Sequence, residues 1–139
     1  RLGDARCGVD LAPFTYAVAT ATVTDLYTFT ATGAARADDW FGEGIVSFTA
    51  GPNAGVSRKV RSYVAGVFKL ATPLPFLPEV GDAFTAVAGC RKRHERTLDN
   101  PDGISDCRDK YSNVLNFYGE PHTPGVDSIT SSPDTDTDE

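Results

Sequence analysis

The sequence predicts a mainly β protein: a small antiparallel β-barrel or sandwich, carrying a C-terminal extension of loop and short helix. Three observations support this. Six short segments between residues 15 and 88 are rich in β-branched and aromatic residues, with alternating polarity. Turn-forming Gly, Pro, Asn and Asp separate them at short intervals. No long helical pattern interrupts them.

The lead-in, residues 1–14, is irregular and broken by Gly3, Gly8 and Pro13. Residues 15–24 (TYAVATATVT) set Tyr16 and Val18 against Ala17 and Ala19, which reads as a strand. Residues 26–32 place Leu26, Thr28 and Thr30 opposite Tyr27 and Phe29. A polar connection over 33–39 ends at Trp40 and Phe41, and a strand follows over 45–50. Gly51-Pro52-Asn53-Ala54-Gly55 is a turn. Residues 56–64 then set Lys59, Arg61 and Tyr63 against Val60 and Val64, with Lys59 and Arg61 facing outward.

Ala65-Gly66 turns the chain into a strand over 67–71. Pro73, Pro75 and Pro78 exclude a ladder strand after it. Gly81-Asp82 leads into the last strand, 83–88. Beyond Gly89 the chain is basic (CRKRHER, residues 90–96), then loop. A short helix is expected over about 107–115, with Ser105 or Asp106 as its N-cap. Residues 116–127 read as loop. Residues 128–139, almost all Ser, Thr and Asp, read as a disordered acidic tail. The organisation expected is one β-rich domain over 1–127 and the tail over 128–139.

A length of 139 residues suits one domain. The net charge of −6 lies mostly in the last thirteen residues, through Asp127, Asp134, Asp136, Asp138 and Glu139. The body is therefore close to neutral, and an isoelectric point near 4.8 argues against nucleic-acid binding. No apolar run approaches the ~20 residues that a membrane-spanning helix needs. The chain contains no Met, even at its first position, so sequence upstream of Arg1 is expected.

Cys7, Cys90 and Cys107 are an odd set, most simply three reduced thiols, and no CxxC is present. If the lead-in and the C-terminal extension meet at one end of the barrel, these cysteines and His122 converge. Three thiolates and an imidazole suit Zn²⁺ or an iron–sulfur cluster. A helix start at Cys107 would favour its thiolate. The competing reading makes the cysteines small buried hydrophobes, since no zinc-finger spacing is present. His94 sits among cations and is the weaker ligand candidate.

Catalytic signatures are absent: no GxSxG, no HExxH and no P-loop. The remaining enzyme reading is a cell-wall hydrolase using a Cys107/His122 dyad, and the chain reads as a non-enzyme. A second alternative is a receptor- or glycan-binding module without metal, in which Trp40, Phe41 and Tyr63 would stack on a sugar.

Several segments resemble one phage family. Leu2-Gly3-Asp4-Ala5-Arg6-Cys7-Gly8-Val9-Asp10 is similar to its LGD-x-x-CGVD segment. The run from Phe48 to Gly55 (FTAGPNAG) is similar to its F-T-S-G-x-N-A-G turn. Gly81-Asp82-Ala83-Phe84 and Gly89-Cys90 resemble its GD-x-F and GC segments. Cys107-Arg108-Asp109-Lys110-Tyr111, Asn113 and the run from Asn116 to Gly125 (NFYGEPHTPG) resemble its C-terminal signature. The resemblance covers residues 2 to about 127. The family is the C-terminal iron-binding domain of baseplate hub, or distal tail tip, proteins of siphophages and gene transfer agents.

The resemblance implies a structural component of a virion tail tip, assembled in the bacterial cytoplasm. It implies other tail tip and baseplate proteins as partners, a homotrimer in the full hub, and no nucleic acid or membrane span for this domain. It implies a [4Fe–4S] iron–sulfur cluster on Cys7, Cys90 and Cys107, with zinc as the alternative metal. The lambda-type proteins use four cysteines where this chain has three. His122, in the matching P-H-x-P-G segment, is the expected fourth ligand.

Overall fold

The structure, a computed structural model, describes residues 2–92 and 106–116. His94 and the expected tail over 128–139 lie outside the described residues. The strands are β1 (Thr15–Val23), β2 (Thr28–Thr32), β3 (Ile45–Phe48), β4 (Ser57–Val64), β5 (Val67–Leu70) and β6 (Ala83–Val87). They close into a barrel in the order β1-β2-β5-β4-β3-β6, and every pairing is antiparallel. A closed barrel, rather than a sandwich, leaves no unpaired strand edge.

All six expected strands form, with two local departures. The second begins at Thr28 rather than residue 26, because the Asp25 carboxylate accepts the Tyr27 N–H at 2.7 Å and holds a turn there. In β4 the alternation changes phase. The register shifts between Val60 and Ser62, so Val60 and Tyr63 both face the core while Val64 is half exposed. A bulge contributes one extra residue, and every side chain beyond it changes face. Tyr63, expected beside Lys59 and Arg61, is instead fully buried.

The core is aromatic. Phe29 stacks on Phe68 at 5.7 Å between ring centroids and meets Phe84 edge-on at 5.4 Å. Phe41, from the connection between β2 and β3, meets Tyr63 edge-on at 4.9 Å. The Tyr63 hydroxyl donates to the carbonyl of Ala34, which secures the same connection.

Strand direction sorts the connections into two groups. Residues 24–27, 49–56 and 71–82 lie at one end of the barrel. Residues 33–44, the 65–66 turn, the lead-in and the residues after β6 lie at the other. At the first end, buried Asn53 holds the proline-rich loop by accepting the Phe76 N–H at 3.1 Å and donating to its carbonyl at 2.9 Å. The second end carries the cysteines.

Candidate metal centre

Backbone contact places the Cys90 segment. Gly89 precedes it and lies so close to the 42–44 loop that a Cβ there would stand 1.7 Å from the Gly42 carbonyl oxygen. The Gly89 N–H donates to the Trp40 carbonyl at 3.1 Å. Only a residue without a side chain permits this approach, and it delivers Cys90 to the rim of the barrel.

The segment over 106–116 returns to this rim. The single helix expected over 107–115 does not form. One wide helical turn spans Asp106–Lys110 and a tight turn spans Val114–Asn116. Ser112, at φ 50°, breaks the run between them. Asp106, expected as a possible cap, turns its carboxylate to Arg91 instead. It accepts the Arg91 backbone N–H at 2.6 Å and the guanidinium at 3.1 and 3.2 Å. Asp39 takes the other arm of Arg91 at 3.1 Å.

Lys110 completes the docking. Its ammonium donates to the carbonyls of Gly89 at 2.8 Å and Trp40 at 2.9 Å, and lies 3.5 Å from Asp106. It also stands 5.0 Å from the centre of the Trp40 ring. Tyr111 donates its hydroxyl to the Gly89 carbonyl at 3.0 Å and packs edge-on against Phe14 of the lead-in at 4.7 Å.

The electrostatics follow from this packing. Burial works to raise the Asp106 pKa, but hydrogen bonds from Arg91 and the charges of Lys110 and Arg91 outweigh it and hold Asp106 below the usual carboxylate value. Burial lowers the Lys110 pKa, against the opposing pull of Asp106. Cys107 moves opposite to expectation. Its thiol is pushed up to about 12, first by burial, then by the charge and hydrogen bond of Cys90 and by the charge of Cys7. With Asp106 turned to Arg91 and only one helical turn present, no extended helix dipole offsets that burial.

The three cysteines therefore share one neighbourhood. Cys107 is buried, Cys7 and Cys90 are half-buried, and both lie close enough to Cys107 to raise its pKa. The lead-in and the C-terminal segment meet here, as Asn113 donates to the Cys7 carbonyl. Among the described residues, no group of three or more His, Cys, Asp or Glu side chains is placed to hold a metal ion. His122 lies outside the described residues. In donor type, three thiols suit a thiophilic metal or an iron–sulfur cluster.

The other candidate sites fare differently. Phe41 and Tyr63 are fully buried in the core and offer no stacking face for a sugar. A buried Cys107 thiol held near 12 is protonated at neutral pH and is not an activated nucleophile. Asp38 and Asp39, in the connection between β2 and β3, bind the Ala65 N–H and Arg91. No helix among the described residues is long and apolar enough to cross a membrane.

Sequence reasoning found the cysteines but missed Arg91, Asp106, Lys110 and Asn113 as the groups that assemble the site. The only available signal was the concentration of polar residues immediately after Cys90 and around Cys107.

Comparison with known proteins bears on the whole chain. Residues 39–127 match the family described as Phage conserved hypothetical protein BR0599. This match includes Cys90, Cys107 and His122, while Cys7 precedes it. Among solved structures, a chain from one described as "Virion of native gene transfer agent (GTA) particle" is similar, with a TM-score of 0.74 and 30% identity. The similarity covers 100% of this chain and 47% of that one, so the chain spans about half the length of its structural relative. No curated protein matches the sequence.

Proposed function

The chain belongs to the phage protein family described as Phage conserved hypothetical protein BR0599, and from that premise we propose that it is a structural component of a virion tail, at the baseplate hub or tip. The 30% identity to a chain of a gene transfer agent virion, over all of this chain, supports the virion setting. The partners in this reading are other tail tip and baseplate proteins, with the full hub a homotrimer assembled in the bacterial cytoplasm. The role is architectural rather than catalytic.

In this reading Cys7, Cys90 and Cys107 hold an iron–sulfur cluster, and His122 supplies the fourth donor. The observation that carries it is the junction of the three cysteine-bearing segments: Asn113 of the Cys107 segment bonds the Cys7 loop, and Lys110 and Tyr111 bond Gly89 beside Cys90. When bound, the cluster supplies metal–thiolate bonds that join these three parts, so its binding energy acts as folding energy. Lys110 places positive charge near Cys90, and Lys110 and Tyr111 secure the Gly89 backbone next to it.

The test is metal, sulfide and visible absorption analysis of the domain purified without oxygen. Iron with stoichiometric sulfide, lost in Cys90→Ser and Cys107→Ser, supports the cluster. One zinc per chain replaces the cluster with a closed structural site. Protein that binds neither iron nor zinc overturns the metal reading.

A further inference from the structure

Asn113 stands at the junction of the two chain ends. Its backbone N–H donates to the Cys107 carbonyl at 2.6 Å. Its side-chain amide donates to the Cys7 carbonyl and lies 3.8 Å from the Cys7 sulfur. One residue thus touches two of the three cysteines, which are separated by one hundred positions in sequence. The amide orientation is set from behind: Asn116 donates to the Asn113 Oδ1 at 2.7 Å, so Nδ2 faces Cys7. Asp4 supports the same loop by accepting the Cys7 N–H at 2.8 Å.

We propose that Asn113 is a positioning residue: it holds the Cys7 loop in register with Cys107 and donates an N–H···S hydrogen bond to the Cys7 sulfur. The inference rests on the metal-site reading above, but its anchoring half concerns the metal-free chain as well. Cys7 has no strand or helix of its own to place it. The lead-in reaches the rim as turns, and its only regular element is the short helical turn Ala12–Phe14. The bond from Asn113 converts a loop cysteine into a fixed donor. A carbonyl and a sulfur presented side by side match the two hydrogens of one amide group. Hydrogen bonds to ligating sulfurs are one of the levers that set cluster potential, so the second hydrogen has an electronic consequence as well.

Two substitutions test this in the full chain. Asn113→Leu removes the amide without adding charge, and Asn113→Asp keeps the shape while removing both donors. In metal-free protein, a short bimane reagent that fluoresces only on bridging two thiols is applied, and the bridged peptides are mapped by mass spectrometry. Bridges between Cys7 and the half-buried Cys90 are expected to fall several-fold in both variants, while single-site labelling of Cys90 persists. Unchanged bridging at Cys7 in both variants overturns the anchor.

In the loaded domain, Asn113→Leu is expected to shift the midpoint potential negative, because a bond favouring the more reduced sulfurs is gone. An unchanged potential with lost bridging retains the anchor and overturns the N–H···S donation. Wild-type protein that takes up no metal overturns the metal reading, and the bridging result still decides the Asn113 anchor.

Discussion

Asp106 and Arg91 are joined through both backbone and side chain: the Asp106 carboxylate accepts the Arg91 backbone N–H and its guanidinium together. The carboxylate is almost wholly buried, at 1% exposure, and the guanidinium is 15% exposed. This pair fastens the segment carrying Cys107 to the segment carrying Cys90. A buried ion pair with its hydrogen bonds satisfied is costly to break from one side, because the remaining charge is left without its partner.

Asp106→Ala is therefore expected to destabilise the domain by about 3 kcal/mol, within the range for removing one member of a buried pair. Urea denaturation measures the loss. Arg91→Ala has less effect than that, since Lys110 remains beside Asp106. The double variant costs less than the sum of the two, because the groups act on one another.

Lys110→Met keeps the aliphatic stem and removes the ammonium. Two carbonyls, those of Gly89 and Trp40, lose a donor. The expected cost is about 2 kcal/mol, in line with lost hydrogen bonds to a charged group. Trp40 reports the change independently: its fluorescence responds as the cation leaves the ring face. An unaltered spectrum would show that the ammonium does not sit over the indole.

Gly89→Ala tests the close approach of the backbones. The added methyl would stand 1.7 Å from the Gly42 oxygen and 2.3 Å from the Gly44 nitrogen, so the chain must move. Loss of folded protein is the expected result. Gly55→Ala is the comparison: its Cβ meets nothing within 4 Å, but its φ of +83° disfavours a side chain. That variant is expected to lose only about 1 kcal/mol and to fold normally.

Asn53→Ala removes both hydrogen bonds to Phe76 at the opposite end of the barrel. It releases two hydrogen bonds by which a fully buried side chain holds an exposed loop, an expected cost of about 2 kcal/mol. Metal content at the cysteine end is expected to stay at the wild-type level, as the two ends share only the barrel between them. A fall in metal content would link them.

Removal of metal supplies the fifth prediction. If the group is a staple, a chelator that strips it lowers the melting temperature of the wild-type domain. The same chelator leaves the melting temperature of Cys107→Ser where it was. Equal melting of loaded and stripped wild-type protein would remove the staple role.

Much of this molecule was legible in the order of its residues. β-branched alternation and Gly/Pro punctuation are local properties, and they located all six strands and the proline-rich loop between β5 and β6. The three cysteines could be named for the same reason, since thiols are few and chemically distinctive.

What lay beyond that reading depended on contacts between distant parts of the chain. The bulge near Ser62 that buries Tyr63 is set by pairing with β5, and no local pattern records a register shift. The break at Ser112 and the turning of Asp106 to Arg91 depend on where β6 delivers its end. A carboxylate that could cap a helix or bind a guanidinium does whichever the folded neighbourhood favours. The meeting of Cys7 with Cys90 and Cys107 belongs to the same class. Residue order names the thiols, but closure of the barrel brings the lead-in and the segment after β6 to one rim, where Asn113 joins the Cys7 loop to the Cys107 segment.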